Sequence, residues 1–333
     1  TQNHVQPMQI FNAMPSLGET ISIIVAVSWT ASALFSEVAT KRTGVHVFNV
    51  LRMVLSMSML VCLLWAVTGR PYPQFADAET WMWLLLSGAV GYVFGDYCLF
   101  NAYLLIGSRF GQLFMTIAPA VAAIAGWLLM GETLALMAVL GMAVTSLGIG
   151  LSILGRSSNE ETGKRKIRLN LPTKGVLFGI GSGVGQGLGL VLSAKGLRHY
   201  ESALASQQLS PDALAGILDT LPFASTFIRA IAGLVGFVAI MLIAGRGRAF
   251  VQSFGDRRAM SMATMAVFFG PFFGVSLSLM ATQYTSTGIA MTLMSLSPIL
   301  ILWPAYFLFK QPVTWRELLG AVISVVGVSL FFL

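Results

Sequence analysis

The stretch from Gly88 to Leu154 occurs twice in this chain. Shifted by 179 positions it falls, without a gap, on Val267–Leu333: Gly91 meets Gly270, Phe94 meets Phe273, Gly95 meets Gly274, Pro119 meets Pro298, Gly141 meets Gly320 and Gly148 meets Gly327. Most of these matches are Gly or Pro, whose backbone behaviour no other residue reproduces. Both copies are apolar and long enough for three membrane-spanning helices. A repeated helical bundle in a bilayer is the sequence signature of a transporter.

The composition agrees with a bilayer as solvent. Of the 333 residues 56% are hydrophobic and 10% charged, against about 25% charged in a soluble domain, and the mean hydropathy is +0.79. Ten apolar runs follow one another: Ile21–Thr40, His46–Thr68, Trp81–Leu104, Gly111–Met130, Leu134–Leu154, Gly175–Ala194, Pro222–Ile243, Ala259–Thr282, Gly288–Phe309 and Glu317–Phe332. Each is near the ~20 residues that cross a hydrocarbon core. Runs this long are helices, because barrel strands alternate and are half as long.

The repeat reaches beyond the opening stretch. Arg52 in the second run corresponds to Arg229 in the seventh, and Trp29 and Ser36 in the first fall on Gln186 and Ser193 in the sixth. The offset grows between these landmarks, which places an insertion of twenty residues at 201–220. There Ser210 followed by Pro211 reads as the start of a short helix at the membrane surface, resting on Leu214, Ile217, Leu218 and Leu221. The expected organisation is a tail at 1–18, a first repeat at 19–154, a basic linker at 155–174 and a second repeat at 175–333. Five helices per half is an odd number, so two halves in series enter the membrane from opposite sides. The predicted fold is an all-α membrane protein of ten transmembrane helices in two inverted five-helix repeats.

Charge sets the predicted orientation. Fifteen of the twenty Lys and Arg lie in the five odd-numbered loops, three (Arg70, Lys195 and Arg198) on the opposite side, and Arg52 and Arg229 within helices. The positive-inside rule puts the odd loops in the cytoplasm and both termini outside. The net charge of +7 therefore belongs to short loops and gives no reason to expect nucleic acid. Cys62 and Cys98 lie in apolar runs and form no spacing with His, so neither a disulfide nor a metal site is expected.

These residues resemble a known motif. Ala102-Tyr103, Ile117-Ala118-Pro119, Gly131-Glu132-Thr133, Gly141 and Gly148 are similar to the EamA-type motif of the drug/metabolite transporter superfamily. The second copy keeps Pro298, Gly320 and Gly327 but has Lys310-Gln311-Pro312 where the motif has Gly-Glu. The resemblance covers Ile21 to Leu333. It implies ten helices, a central cavity between the halves and alternating access for small metabolites. Many ten-helix members have the N-terminus inside, opposite to the charge count here.

Candidate site residues follow from polar groups placed within spans. Asp96 sits mid-way along the third run, where a charge costs about 2.5–3.5 kcal/mol on insertion scales. Tyr92, Asp96 and Tyr103 share one helical face. That face reads either as a cavity wall that binds a cation or proton, or as a structural tie between helices. Trp29 and Ser32 on the first helix, Gln186 on the sixth and Gln283 on the eighth complete the expected substrate contacts. Glu37, Arg52 and Arg229 are further charge partners, the arginines either contacting an anion or tying helices together. Pro119 and Pro298 are expected hinges within the fourth and ninth helices. Glu132 reads as a helix cap. In the sixth run Gly175, Gly179, Gly183 and Gly187 recur at intervals of four, with Gly181, Gly185 and Gly189 on an adjacent face; such spacing admits close helix contact.

The expected function is secondary transport of a small polar or amphipathic metabolite, amino-acid-like or drug-like, across the plasma (bacterial inner) membrane by a monomer, with no cofactor. A membrane-embedded enzyme is the weaker alternative, since His4, His46 and His199 lie apart from any acid or Cys cluster. A receptor or scaffold is a third, and an inverted repeat argues against it.

Overall fold

The computed structural model of the chain describes residues 16–155, 172–207, 210–300 and 315–330. Among them every regular element is a helix, as a bilayer requires of a backbone that must satisfy its own hydrogen bonds. In order these are α1 (Leu17–Thr43), α2 (Val45–Thr68), α3 (Ala78–Gly88), a π-helical stretch (Ala89–Asp96), α4 (Tyr97–Met115), α5 (Ala118–Met130) and α6 (Leu136–Gly155). Then come α7 (Thr173–Ala205), α8 (Pro211–Ile243), α9 (Gly247–Ser253), α10 (Arg257–Val267), a second π-helical stretch (Phe268–Phe272), α11 (Phe273–Tyr284), α12 (Thr287–Met294), α13 (Ser297–Leu300) and α14 (Trp315–Ser329).

Among the described residues six helical stretches are long and apolar enough to cross a membrane: α1, α2, Ala78–Ile106, α7, Gly216–Ile243 and Arg257–Tyr284; three shorter apolar ones are Ala118–Met130, Leu136–Leu151 and Leu318–Gly327. The fourth and ninth of the ten expected runs are not single unbroken helices among the described residues. The fourth run breaks at Thr116–Ile117 and the ninth at Ser295–Leu296, because a helix continued through Pro119 or Pro298 would drive the ring into the carbonyl four residues back. The remainder of the ninth run lies outside the described residues. Large apolar side chains stay exposed around the bundle, with Ile243 at 87%, Leu147 at 71% and Leu128 at 66%; in water so much bare hydrocarbon would drive association, whereas lipid tails cover it.

The inserted segment also differs from expectation. Pro211 opens α8, which continues without interruption to Ile243. Leu214, Ile217 and Leu218 pack, half-buried, on a core cluster that includes Leu221, Leu204 and Tyr200, so one side of this segment faces protein. The extra residues lengthen α7 and α8 by several turns.

Contacts between the halves follow the repeat. Thr145 on α6 and Ser324 on α14 stand 179 positions apart, and each hydroxyl donates to the other's carbonyl, at 3.5 Å from Thr145 and 3.3 Å from Ser324. Gly148 lies against Gly320 and Ser324, and Gly327 against Thr145. The exchange extends elsewhere: α7 packs on the first π stretch and α4, while α1 packs on the second π stretch and α11. Gly189 meets Gly91, and Ser32 meets Gly270. These are equivalent pairs under the two sequence offsets, and the two π stretches themselves begin at equivalent residues, Ala89 and Phe268.

The glycines of α7 serve close packing on two sides. A Cβ at Gly183 would stand 2.5 Å from the Phe114 carbonyl oxygen, and one at Gly185 2.6 Å from the Gly95 Cα. Helix ends are held by polar caps. Asp77 accepts from the Thr80 backbone N–H at 2.9 Å and faces His199 Nε2 at 2.9 Å. Its bonds from Thr80, with His199 adding to them, bring its pKa down to about 2. At the opposite ends, Asp256 accepts from Arg42 at 2.7 Å and from the Ala259 N–H, and the Arg42 bond holds its carboxyl below the usual range.

Candidate functional site

A cavity of about 160 Å³ lies where the halves meet. Its wall takes residues from α1, α2, both π stretches, α4, α7, α8 and the α11–α13 region. Much of it is built from repeat equivalents: Trp29 and Gln186, Arg52 and Arg229, Tyr92 and Pro271, Met115 and Met294, Thr116 and Ser295 all line it. Both halves of the sequence repeat therefore contribute equivalent positions to it.

The first π stretch ends on Asp96 and directs it inward. A π turn holds more residues than an α turn and displaces side chains from the regular helical face. Here Gly91 and Gly95 remove side chains on the α7 side, so α7 closes in backbone to backbone and Gln186 reaches the acid. Asp96 is 6% exposed. One of its oxygens accepts from Arg52 at 2.5 Å and the other from the Gln186 amide at 2.7 Å. The Arg52 guanidinium also lies over the Phe100 ring at 5.1 Å and the Phe48 ring at 5.9 Å, a cation–π contact that favours its charge in an apolar setting.

Arg229 is placed differently. It is 5% exposed, and its guanidinium lies over the Tyr92 ring at 4.9 Å. Among the described residues no carboxylate lies within ion-pair distance, and its Nε has no hydrogen-bond partner; nor has the buried Tyr92 hydroxyl. The repeat explains the difference, because the counterpart of Asp96 is Val275.

Eight of the expected site residues thus line one cavity: Trp29, Ser32, Arg52, Tyr92, Asp96, Tyr103, Gln186 and Arg229. Ser32 donates to the Ala266 carbonyl at 2.8 Å, leading into the second π stretch. Gln283 is not among the lining residues. It lies at the end of α11, hydrogen-bonded to Glu201. The Glu37 side chain falls outside the described residues. Pro119 sits in the first turn of α5 and Pro298 in that of α13, where a missing N–H costs nothing; the irregular residues are the turns just before them. Glu132 does cap a helix, though not the one that follows it. One carboxylate oxygen accepts from the Thr287 N–H at 3.0 Å and its hydroxyl at 2.7 Å, at the start of α12, while the other accepts from Arg198 at 2.7 Å.

Phe100, Met115, Thr116, Met294 and Ser295 are cavity residues that sequence reasoning missed. The signal was present for four of them, since Met115 and Met294, like Thr116 and Ser295, are equivalent under the 179-residue shift.

The family model of the EamA-like transporter family matches residues 16–154 and 215–333. The chain belongs to that family. With its apolar helices, it is accordingly a multi-pass membrane protein. An uncharacterized transporter of Clostridium kluyveri is 27% identical over 154 residues, 45% of this chain, and the matched part spans 47% of that relative's length. A protein of known crystal structure superposes on this EamA-like chain with a TM-score of 0.65, covering 96% of both chains at 15% identity. At that identity the likeness speaks for the fold alone.

Proposed function

We propose that this EamA-like protein is a secondary transporter that carries a small polar or amphipathic metabolite across the plasma membrane by alternating access. Ten helices in two inverted five-helix repeats form the machine, and a monomer suffices because both halves lie in one chain. The observation that carries this reading is the cavity between the halves, lined by residues equivalent under the sequence repeat. A site placed there changes its exposure to the two sides when one half rocks against the other. Asp96, Arg52 and Gln186 tie α2, the first π stretch and α7 together beside the substrate, while Trp29, Ser32 and Tyr103 shape the wall.

The test begins with the full-length protein in detergent, screened for ligands that raise its melting temperature among amino acids, amines and sugar phosphates. Each stabilising compound is then offered as a labelled solute to proteoliposomes preloaded with the same compound. Counterflow uptake above protein-free vesicles is the expected result. A ligand that stabilises the protein but never crosses would mark a receptor and end the transport reading.

The same proposal places both termini outside the cytoplasm. With Cys62 and Cys98 both replaced by Ser, a single Cys at Ser206 should react with an impermeant thiol reagent added to intact cells, and one at Gln252 should react only after lysis. Both positions are exposed. Reversed labelling would show that the basic loops face outward.

A further inference from the structure

We infer that the cavity binds a solute carrying one carboxylate on an apolar body, with Arg229 and Tyr92 receiving the carboxylate. This rests on the reading of the cavity as a substrate site and adds the chemistry of what enters it. The described lining residues contain two arginines and one acid, Arg52, Arg229 and Asp96. Asp96 is spent on Arg52 and Gln186. One positive charge is left over in a buried place.

An isolated buried guanidinium is costly, and stacking on one ring returns only part of its lost hydration. The Arg229 Nε and the Tyr92 hydroxyl are both buried donors with no acceptor, whereas native proteins pair nearly all such groups. The Arg52 Nε lacks one too, but Arg52 has the Asp96 carboxylate through another nitrogen, and Arg229 has none among the described residues. Two adjacent donors, one cationic, lack one thing: an anionic oxygen. In the first half Asp96 supplies it to Arg52. In the second half Val275 stands at the equivalent place, and among the described residues no other carboxylate takes its part, so we assign the acceptor to the solute. A guanidinium fork matches a carboxylate in two parallel bonds. The remaining wall, with Trp29, Phe100, Met115 and Met294, suits a hydrocarbon or aromatic body.

The experiment uses the full-length protein in detergent with three probes of one shape: benzoate, benzamide and benzylamine. Benzoate is expected to raise the melting temperature and to bind at least about tenfold more tightly than benzamide, because a charge pair removed from water loses that much or more when one charge is deleted. Arg229→Met should abolish the benzoate shift, Arg229→Lys should retain part of it, and Tyr92→Phe should weaken it. A second readout needs no ligand: if the Arg229 charge is uncompensated, Arg229→Met without any probe should melt no lower than the parent protein. A lower melting temperature, with the benzoate shift retained, would make Arg229 a structural tie and overturn the inference. If benzamide or benzylamine stabilises as strongly as benzoate, the anion inference falls while the cavity stands as a binding site. If none of the three stabilises any version, the carboxylate inference falls, and the cavity reading is decided by the wider ligand screen above.

Discussion

Asp96→Leu should destabilise the protein by about 3–5 kcal/mol, the range seen when one member of a buried ion pair is deleted. The substitution removes the acid that holds Arg52 at 2.5 Å and leaves two guanidiniums in the cavity wall. Asp96→Asn should lose less, since an amide can keep the hydrogen-bonding geometry though not the charge. The informative variant is Arg52→Met combined with Asp96→Leu. Replacing both partners by apolar groups of similar size is often neutral, so the double variant should recover most of the stability in a detergent unfolding titration. Counterflow should not return. If the double variant both folds and transports, the pair is a packing device and takes no part in the cycle.

Gly148→Leu should be about as damaging for a different reason. A Cβ there would stand 2.5 Å from the Ser324 backbone nitrogen and 2.7 Å from the Gly320 carbonyl oxygen. Backbone on both sides cannot move as a side-chain tip can, so the loss should reach the upper end of the overpacking range, about 3 kcal/mol. Gly327→Leu should match it, because its Cβ meets the Thr145 nitrogen at 2.5 Å. Gly216→Leu is the control, with open space around its Cβ. Equal melting temperatures for Gly148→Leu and Gly216→Leu would mean that the α6–α14 seam contributes little.

These results bear on how far the sequence reads as structure. The repeat, its offset and the glycine faces of α7 were legible because Gly and Pro have local backbone consequences that survive any packing. Asp96, Arg52 and Gln186 were legible as polar groups in costly places. Their mutual pairing was not, since nothing in spacing says that Gln186 reaches over Gly91 and Gly95 to the acid. The π stretches were also hidden: hydropathy is blind to one extra residue per turn. Pro119 and Pro298 suggested kinks within helices, but a proline marks a break or a start equally well, and here the chain breaks two residues earlier. Gln283 does not line the cavity, because the eighth run continues past it to its end, where Glu201 waits. The surface helix expected after Ser210 became part of α8, where Leu214, Ile217 and Leu218 turn one side of it to the core cluster.

The seam between α6 and α14 has a consequence for parts of the molecule taken alone. Thr145 touches the residue that stands in its own place in the other half, and Ser324 returns the contact. A surface whose residues meet their own counterparts is complementary to itself, the property that closes a twofold homodimer. The half of the chain that ends in α6 already carries such a surface. A half-length ancestor could have paired through it before any duplication joined the genes, and the fusion would have made permanent an encounter that two separate copies could already form.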